Sequence, residues 1–463
     1  MTEPGGLRVA VVGAGASGTL AAVHLLRAAA DRGRPLRLVL VDRSGEFGPG
    51  RAYRTDDPAH LLNTPAARMS ALADDPDHFV RWNRELGRDV DGGAFLPRGE
   101  YGRYLGEALL AEERRARGVA VVERVAATVT GLSDDGSGGG GLVVELAGRA
   151  PVRVDFAVLA PGVGGGDPFA GLLPTGSPRY VADPWDGPVA ITDDSPVLVL
   201  GTGLSMMDLA ISVTRAHPAA VVHAVSRHGL LPRPHRTGRA PVAPPPGPGL
   251  PEHVGSLRDL LGFARRGVAA DPDRWRDFVD RLRPHAPRLW QQLDLTDRRR
   301  FLDRVNRYWD VHRHRAAPAT HRRVRALMGT GRLHVHRGRV ACLRPVADGF
   351  EADLVTPAGP RSLRVGWVVN ATGFRGDVTD RPDPLLRRLL DDGTARPDPL
   401  GLGLTTGRDG RVLDRRGAPR PVFVLGALRR GELFESTAVP EIRAQAQAVA
   451  ATAMAVPGRE VTT

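Results

Sequence analysis

Arg8-Val9-Ala10-Val11-Val12-Gly13-Ala14-Gly15-Ala16-Ser17-Gly18 is the stretch that decides the fold of this chain. The run Val9–Val12 is short, continuous and rich in β-branched residues, as in a strand covered on both faces. It runs into a glycine turn and then a helix, expected over Thr19–Ala30. Gly13 permits the tight turn, Gly15 leaves the backbone open to a pyrophosphate, and Gly18 lets the helix pack closely on the strand. Ser17 joins these glycines as a candidate binding residue. The free N–H groups and the positive dipole end of the helix would face the phosphates. A lone GxGxxG is weak evidence, because glycine turns are common. The context strengthens it. A second apolar strand, Leu36–Val41, ends in Asp42, where a carboxylate is placed to bond a ribose hydroxyl pair. The alternative is a strand–turn–helix that binds nothing.

Outward from this unit, 463 residues are too many for one ordinary core, so two or three domains are expected. The formal net charge is +12, and all 64 basic residues of the Lys+Arg count are Arg. They are spread along the chain, which suits a solvated basic surface and argues against nucleic-acid binding. Without lysine there is no P-loop lysine and no Schiff-base lysine. The single cysteine, Cys342, excludes intrachain disulfides, CxxC redox chemistry and cysteine-based zinc sites. No metal site is expected. The apolar run near the N-terminus lacks a basic leader and is broken by glycines, unlike a secretion signal. No run of about 18 apolar residues is present, so no membrane span is expected. The expected compartment is the cytoplasm.

The loop-rich segment 43–70 carries Arg51 and Asn63, candidates either for bonds to a cofactor ring system or for an ordered surface loop. Residues 76–116 read as helical, with Tyr101, Tyr104, Leu105 and Leu109 on one face. Arg98, at a helix entrance, is a candidate for a phosphate or a substrate carboxylate. Strands are expected over Val119–Val129, Leu142–Leu146 and Val152–Leu159, the last closing on Ala160-Pro161-Gly162.

A second strand–turn–helix begins at Pro196. Gly201 and Gly203 match the first two glycines, Ser205 follows, and the third glycine position holds Met206, so the helix is expected to pack differently. The partner strand Ala220–Val225 ends in Ser226-Arg227-His228. Arg227 favours a 2′-phosphate through bidentate charge-assisted bonds, so the site is expected to prefer NADPH, with NADH as the alternative. The strands Val340–Val346, Phe350–Val355 and Leu363–Val369 then close on Asn370-Ala371-Thr372-Gly373. One plan thus occurs twice, which implies two dinucleotides in one polypeptide. Between the copies, Pro232–Pro251 reads as an extended loop or lid, and 255–330 as a charged helical insert. His312 and His314 point to different faces of a helix and do not make a metal pair. The insert is either a substrate-facing wall or a helix–helix interface. The chain then returns to its first unit through a strand ending at Gly426. Ser436 and Thr437 follow as candidate caps of a helix running from Pro440 to about Val456.

Together these residues resemble the two-dinucleotide-binding-domain flavoproteins, and within them a bacterial group of FAD/NAD(P)-binding proteins. The matching words are Val11–Gly18, Leu61-Leu62-Asn63-Thr64-Pro65, Asn370–Gly373 and Glu435–Arg443. More distantly the chain is similar to the N-hydroxylating flavin monooxygenases. The resemblance implies an α/β fold of two Rossmann-like domains with β-meanders. FAD would sit on the first (1–190, completed by 375–463) and NAD(P)H on the second (191–374, with the insert at about 250–330). It places Gly13, Gly15, Ser17, Gly18, Asp42, Arg51, Asn63, Gly426 and Thr437 on the FAD side. Gly201, Gly203, Ser205, Arg227, Thr372 and Gly373 fall on the other strand tips. The helix after Thr437 would point at the negative edge of a reduced flavin. Two departures stand out. Ala427-Leu428 follows Gly426 where many relatives carry Asp, and the lysine that N-hydroxylating relatives use near the substrate has no equivalent.

The reaction expected from this resemblance is an NADPH-consuming monooxygenation in biosynthesis. It would N-hydroxylate an amine or amino acid through a C4a-hydroperoxyflavin, with the chemistry centred on the flavin and Asn63 and Arg51 as the candidates around it. The expected partners are a small-molecule substrate and O2, with association into a homo-oligomer left open. The alternative is an NAD(P)H:acceptor flavin oxidoreductase that inserts no oxygen.

Overall fold

The computed structural model describes residues 6–455, apart from 138–139, 163–166, 168, 174–176, 188–190, 238–248, 374–376 and 382. Most of the proline-rich stretch 232–251 therefore lies outside the described residues, as does Val456.

The first unit opens with β1 (Leu7–Val12), α1 (Ala16–Arg32) and β2 (Leu36–Asp42). There follow α2 (Gly50–Tyr53), α3 (His78–Glu85), α4 (Arg98–Arg115) and β3 (Ala120–Ala126). A meander, β4 (Val129–Asp134), β5 (Leu142–Leu146) and β6 (Val152–Val154), leads into β7 (Phe156–Leu159). The second unit takes β8 (Tyr180–Val181), β9 (Val197–Leu200), α5 (Leu204–Ala216) and β10 (Val222–Ser226).

The insert supplies α6 (Leu257–Ala269), α7 (Trp275–Leu282), α8 (Ala286–Gln292), α9 (Leu295–Arg304) and α10 (Asn306–Arg313). Then come α11 (Pro318–Gly329), β11 (Leu333–Arg337), a second meander β12 (Arg339–Val346), β13 (Gly349–Thr356) and β14 (Gly359–Val365), and β15 (Trp367–Asn370). The return segment holds α12 (Pro384–Asp391), β16 (Arg411–Leu413), β17 (Pro419–Val424), α13 (Arg430–Leu433) and α14 (Val439–Ala453).

The two main sheets have orders β16-β17-β7-β1-β2-β3 and β11-β10-β9-β15-β8, parallel except for the edge strand β16. Both are covered on two faces, as parallel sheets require. Along β1, Val9 and Val11 join the core beneath α1, α4 and α14, while Ala10 and Val12 join the core beneath the first meander and α12. Along β9, Val197 and Val199 face α5, and Leu198 and Leu200 face the second meander.

Three expectations are corrected. Val119–Val129, Val152–Leu159 and Leu363–Val369 are not single strands. Each divides where the chain leaves a main sheet for a meander or rejoins it, as at Asp155, between β6 and β7, whose carboxylate accepts from Arg8 N. The boundary at 190/191 falls too late, because β8 pairs with β15 in the second sheet. Ser436 and Thr437 do not cap α14: its N-cap is Ala438, with no side-chain cap bond, and the helix ends at Ala453.

The insert lies against the return segment. Trp290 donates to Gly431 O at 2.8 Å and Trp309 to Glu435 Oε1 at 2.7 Å. Arg283 pairs with Glu441 at 2.5 Å and Arg313 with Glu435 at 3.0 Å.

Candidate dinucleotide sites

The two glycine turns superpose in their chemistry. Gly13 has φ +95°, and a β-carbon there would lie 2.3 Å from Ala160 O. Gly201 has φ +113°, and a β-carbon there would lie 2.4 Å from Ala371 O. In both, the glycine N–H donates to the partner strand, Gly13 to Val41 O and Gly201 to Val225 O, each at 2.8 Å. The closing residues behave alike too. Ala160 N bonds Val12 O and Ala371 N bonds Leu200 O, and Gly162 and Gly373 both take φ +75°. Only glycine enters this backbone region without strain.

Each turn ends on a helix with no side chain bonded at its N-cap, Gly15 for α1 and Gly203 for α5. The first amides of an α-helix have no partner within it, so both starts present free donors at their positive dipole ends. These cradles fit the phosphates of a dinucleotide. Gly203 faces open space, whereas Gly15 does not: a β-carbon on it would lie 3.2 Å from Gly50 Cα. The glycine at 15 thus also admits the Gly50 loop. Gly18 is required by packing, since a β-carbon would sit 1.8 Å from Gly13 O. Its counterpart Met206 is fully buried under the second sheet.

Asp42 stands at the tip of β2, but its carboxylate already accepts from Ala14 N at 2.7 Å and from Ser44 N and Oγ at 2.9 and 2.7 Å. It shapes the turn as well as offering its remaining lone pairs. Ser226, at the tip of β10, does the same with a hydroxyl, bonding Thr202 Oγ1 at 2.8 Å. Arg227 beside it is exposed. Thr372 bonds Asn370 Oδ1 at 2.7 Å and Gly373 follows it into solvent. On the return segment, Gly426 faces the first turn: its absent β-carbon would lie 3.4 Å from Ser17 Oγ. Gly426 N donates to Gln445 Oε1 at 2.9 Å, and Gln445 Nε2 donates to Ser436 O at 3.4 Å. Ser436 is wholly buried, and its hydroxyl has no partner among the described residues. Thr437 is exposed. Gln445 escaped the sequence reading, although a lone amide within the buried Ile442, Ala446, Val449 stripe was the available signal.

Other candidates are spent on joining the units. Arg51 pairs with Asp183 in the linker, and burial holds its guanidinium below the ordinary value. Ser205 Oγ accepts from Trp185 Nε1 at 3.3 Å. Arg98 does not face an anion site. It pairs with the buried Asp208 of α5 at 2.7 Å, donates to Leu61 O, and lies over Trp185. Burial pushes Asp208 up to about 6 despite Arg98. Nearby, Asp57 grips Arg215 at 2.9 and 2.6 Å, and His60 Nε2 lies 2.8 Å from Ser212 Oγ. This is no nucleophile relay, because His60 Nδ1 is taken by Thr55 and Asp57 bonds Ser212 itself. Asn63 is half-buried, and its carbonyl accepts from His235 Nε2 at 2.9 Å. Among the described residues no metal-binding cluster forms, and no helix is long and apolar enough to cross a membrane.

Residues 10–164 match the model of an FAD-NAD(P)-binding family. No curated protein matches the chain in sequence. Among solved structures, the ornithine hydroxylase of Pseudomonas aeruginosa aligns with 96% of this chain and 98% of its own, at 16% identity and TM-score 0.66. The ornithine N-hydroxylase of Kutzneria sp. 744, solved with reduced FAD, NADP+ and L-ornithine, aligns with 97% and 99%, at 16% identity and TM-score 0.64. The L-lysine 6-monooxygenase of Pseudomonas syringae aligns with 96% and 99%, at 19% identity and TM-score 0.61. At these identities the likeness speaks for the fold. With one turn geometry built twice, the chain has the fold of these neighbours, with two dinucleotide-binding-type units, and residues 10–164 of the first match an FAD-NAD(P)-binding family.

Proposed function

We propose that the protein is an FAD-dependent, NADPH-consuming monooxygenase that N-hydroxylates an amine or amino acid. The observation that carries this reading is the pair of matched turns, Gly13 against Ala160 and Gly201 against Ala371, in a fold shared with ornithine and lysine N-hydroxylating enzymes. In this reading the amides of Ala16, Ser17 and Gly18 hold the FAD pyrophosphate and Asp42 the ribose. Gly426 and Thr437 border the far side, and the start of α14 faces the ring. The amides after Gly203 hold the nicotinamide dinucleotide, and Arg227 binds its 2′-phosphate. Thr372 and Gly373 border that site. Asn63 remains the candidate nearest the ring system, while Arg51 serves by holding the loop to Asp183. When bound, the flavin accepts hydride from NADPH and activates O2. The chain's own task is to bind, to orient and to exclude water, with the insert as a wall over the return segment.

The test is anaerobic NADPH addition to the flavin-loaded protein, followed by air and a panel of amines. Bleaching of the flavin, and NADPH oxidation matched by hydroxylated product, are the expected results. Bleaching without oxygenated product would leave an NAD(P)H:acceptor oxidoreductase. Failure to bind flavin, or to bleach, would end the proposal.

A further inference from the structure

The insert holds most of the lining of an open cavity of about 990 Å3, walled by Leu260, Ala264, Val268, Phe278, Leu282 and Trp309 among others. It is large enough for a sizeable ligand. Phe434 is among its lining residues and is the only non-glycine residue with positive φ (+59°) among the described residues. That backbone turns the Phe434 ring onto Trp290, with centroids 4.9 Å apart, and Glu435 and Ser436 follow directly. The cavity therefore touches the loop that leads to α14. Its lining contains Arg233, Arg265, Arg276, His312 and His321, and no carboxylate.

A second pocket of about 330 Å3 adjoins it, and Pro234, Arg276 and His321 line both. The annex adds His235, Arg236 and Arg322. Arg276 spends its Nε on Pro234 O at 2.9 Å and its face on Trp275 at 4.4 Å. Burial, with Arg236 and Arg233 close by, holds it below its ordinary value, and Asp277 offsets this in part. Asp277 itself is shared by Arg236 and Arg274. Positive charge is thus in excess where the apolar cavity meets the annex.

We infer that the insert binds an amphipathic anion, its apolar body in the large cavity and its carboxylate or phosphate in the annex beside Arg276, and that the amine substrate of this flavoprotein carries such an apolar, anionic portion. The second clause rests on the monooxygenase reading; the first does not. A free diamine or basic amino acid would find no counter-ion in the cavity lining. Burying an alkyl chain drives entry, and the guanidiniums choose the sign of the head group.

The test is calorimetric titration of the flavin-loaded protein with decanoate, decyl phosphate, decylammonium and L-ornithine. At least one alkyl anion is expected to bind with a negative heat-capacity change, at least about tenfold tighter than decylammonium. Preference between decanoate and decyl phosphate identifies the head group. Ala264→Trp, which fills the cavity, should weaken the alkyl ligands by about tenfold or more, and Val268→Phe serves if that variant does not fold. Arg276→Gln should weaken the anions by about tenfold and leave decylammonium unchanged. Equal binding of the cation, or indifference to both cavity-filling variants, overturns the site. Anion binding by a protein whose flavin NADPH does not bleach keeps the site and removes the substrate assignment. Bleaching and amine hydroxylation without anion binding keeps the monooxygenase reading and removes both the site and the substrate assignment.

Discussion

At the residue scale, Gly13 and Gly201 show why the turns were legible from sequence. A positive φ and a carbonyl within reach of an absent β-carbon are local demands, met by glycine alone, and they leave a local mark. Gly13→Ala should cost about 2–4 kcal/mol from strain and overlap with Ala160 O together, read as a lower denaturation midpoint, and the variant should lose FAD. Arg227 tests the cofactor preference. Removing an exposed guanidinium that bonds a 2′-phosphate should cost about 1.5–3 kcal/mol of NADPH affinity, or about tenfold to a hundredfold. Arg227→Ala should therefore raise the KM for NADPH by that factor and leave the KM for NADH unchanged. An equal rise for both would move the 2′-phosphate contact elsewhere. Arg98 was misread for the opposite reason. Its partner Asp208 is remote in the chain, and nothing around Arg98 in sequence announces a buried carboxylate.

At the element scale, the strand–turn–helix units, the meanders and the returning strand could all be read from apolar runs and glycine breaks. The places where a strand passes from meander to main sheet could not. In Val152–Leu159 the charged Arg153 and Asp155 alternate with Val152 and Val154 as they would within one half-exposed strand, and only pairing partners divide it into β6 and β7. The short β8 was missed because two residues carry no period, though they pair with Val368 and Val369. Helix α14 adds a device that periodicity hides, since Gln445 occupies a core position and its amide ties Gly426 to Ser436. Gln445→Ala would leave Gly426 N without an acceptor in a buried place, at about 1–3 kcal/mol. The expected result is weaker FAD retention and a lower midpoint, with NADP+ binding to the second unit unaffected. Unchanged FAD retention would mean that the return loop holds its place through α14 packing alone.

At the scale of the whole molecule, what joins the units is polar and buried, and it carries a pH dependence that the sequence could not disclose. His60 bonds Ser212 of α5, and His235 donates to the Asn63 carbonyl of the first unit. His24, inside the first unit, donates to Ala71 O. Burial lowers all three to about 4. Between about pH 4 and 6.5 the unfolded chain therefore takes up three protons that the folded chain refuses, so stability is complete above 6.5 and is lost as pH falls toward 4. Asp208 acts in the opposite sense. Burial raises it to about 6, so the folded chain keeps a proton that the unfolded chain has released, and stability from this group is lost as pH rises through 6. The net from these four groups is two protons, a slope of about 3 kcal/mol per pH unit near pH 5. Denaturant midpoints measured from about pH 7.5 down to about 4.5 should be level at first and then fall, these four groups contributing that slope. His24→Gln keeps a donor for Ala71 O and removes one titrating ring, so it should make the fall shallower by one proton, about 1.4 kcal/mol per pH unit. Midpoints that stay level to about pH 5 would show that these imidazoles accept protons in the folded chain, and that the contacts at His60 and His235 open before the cores do.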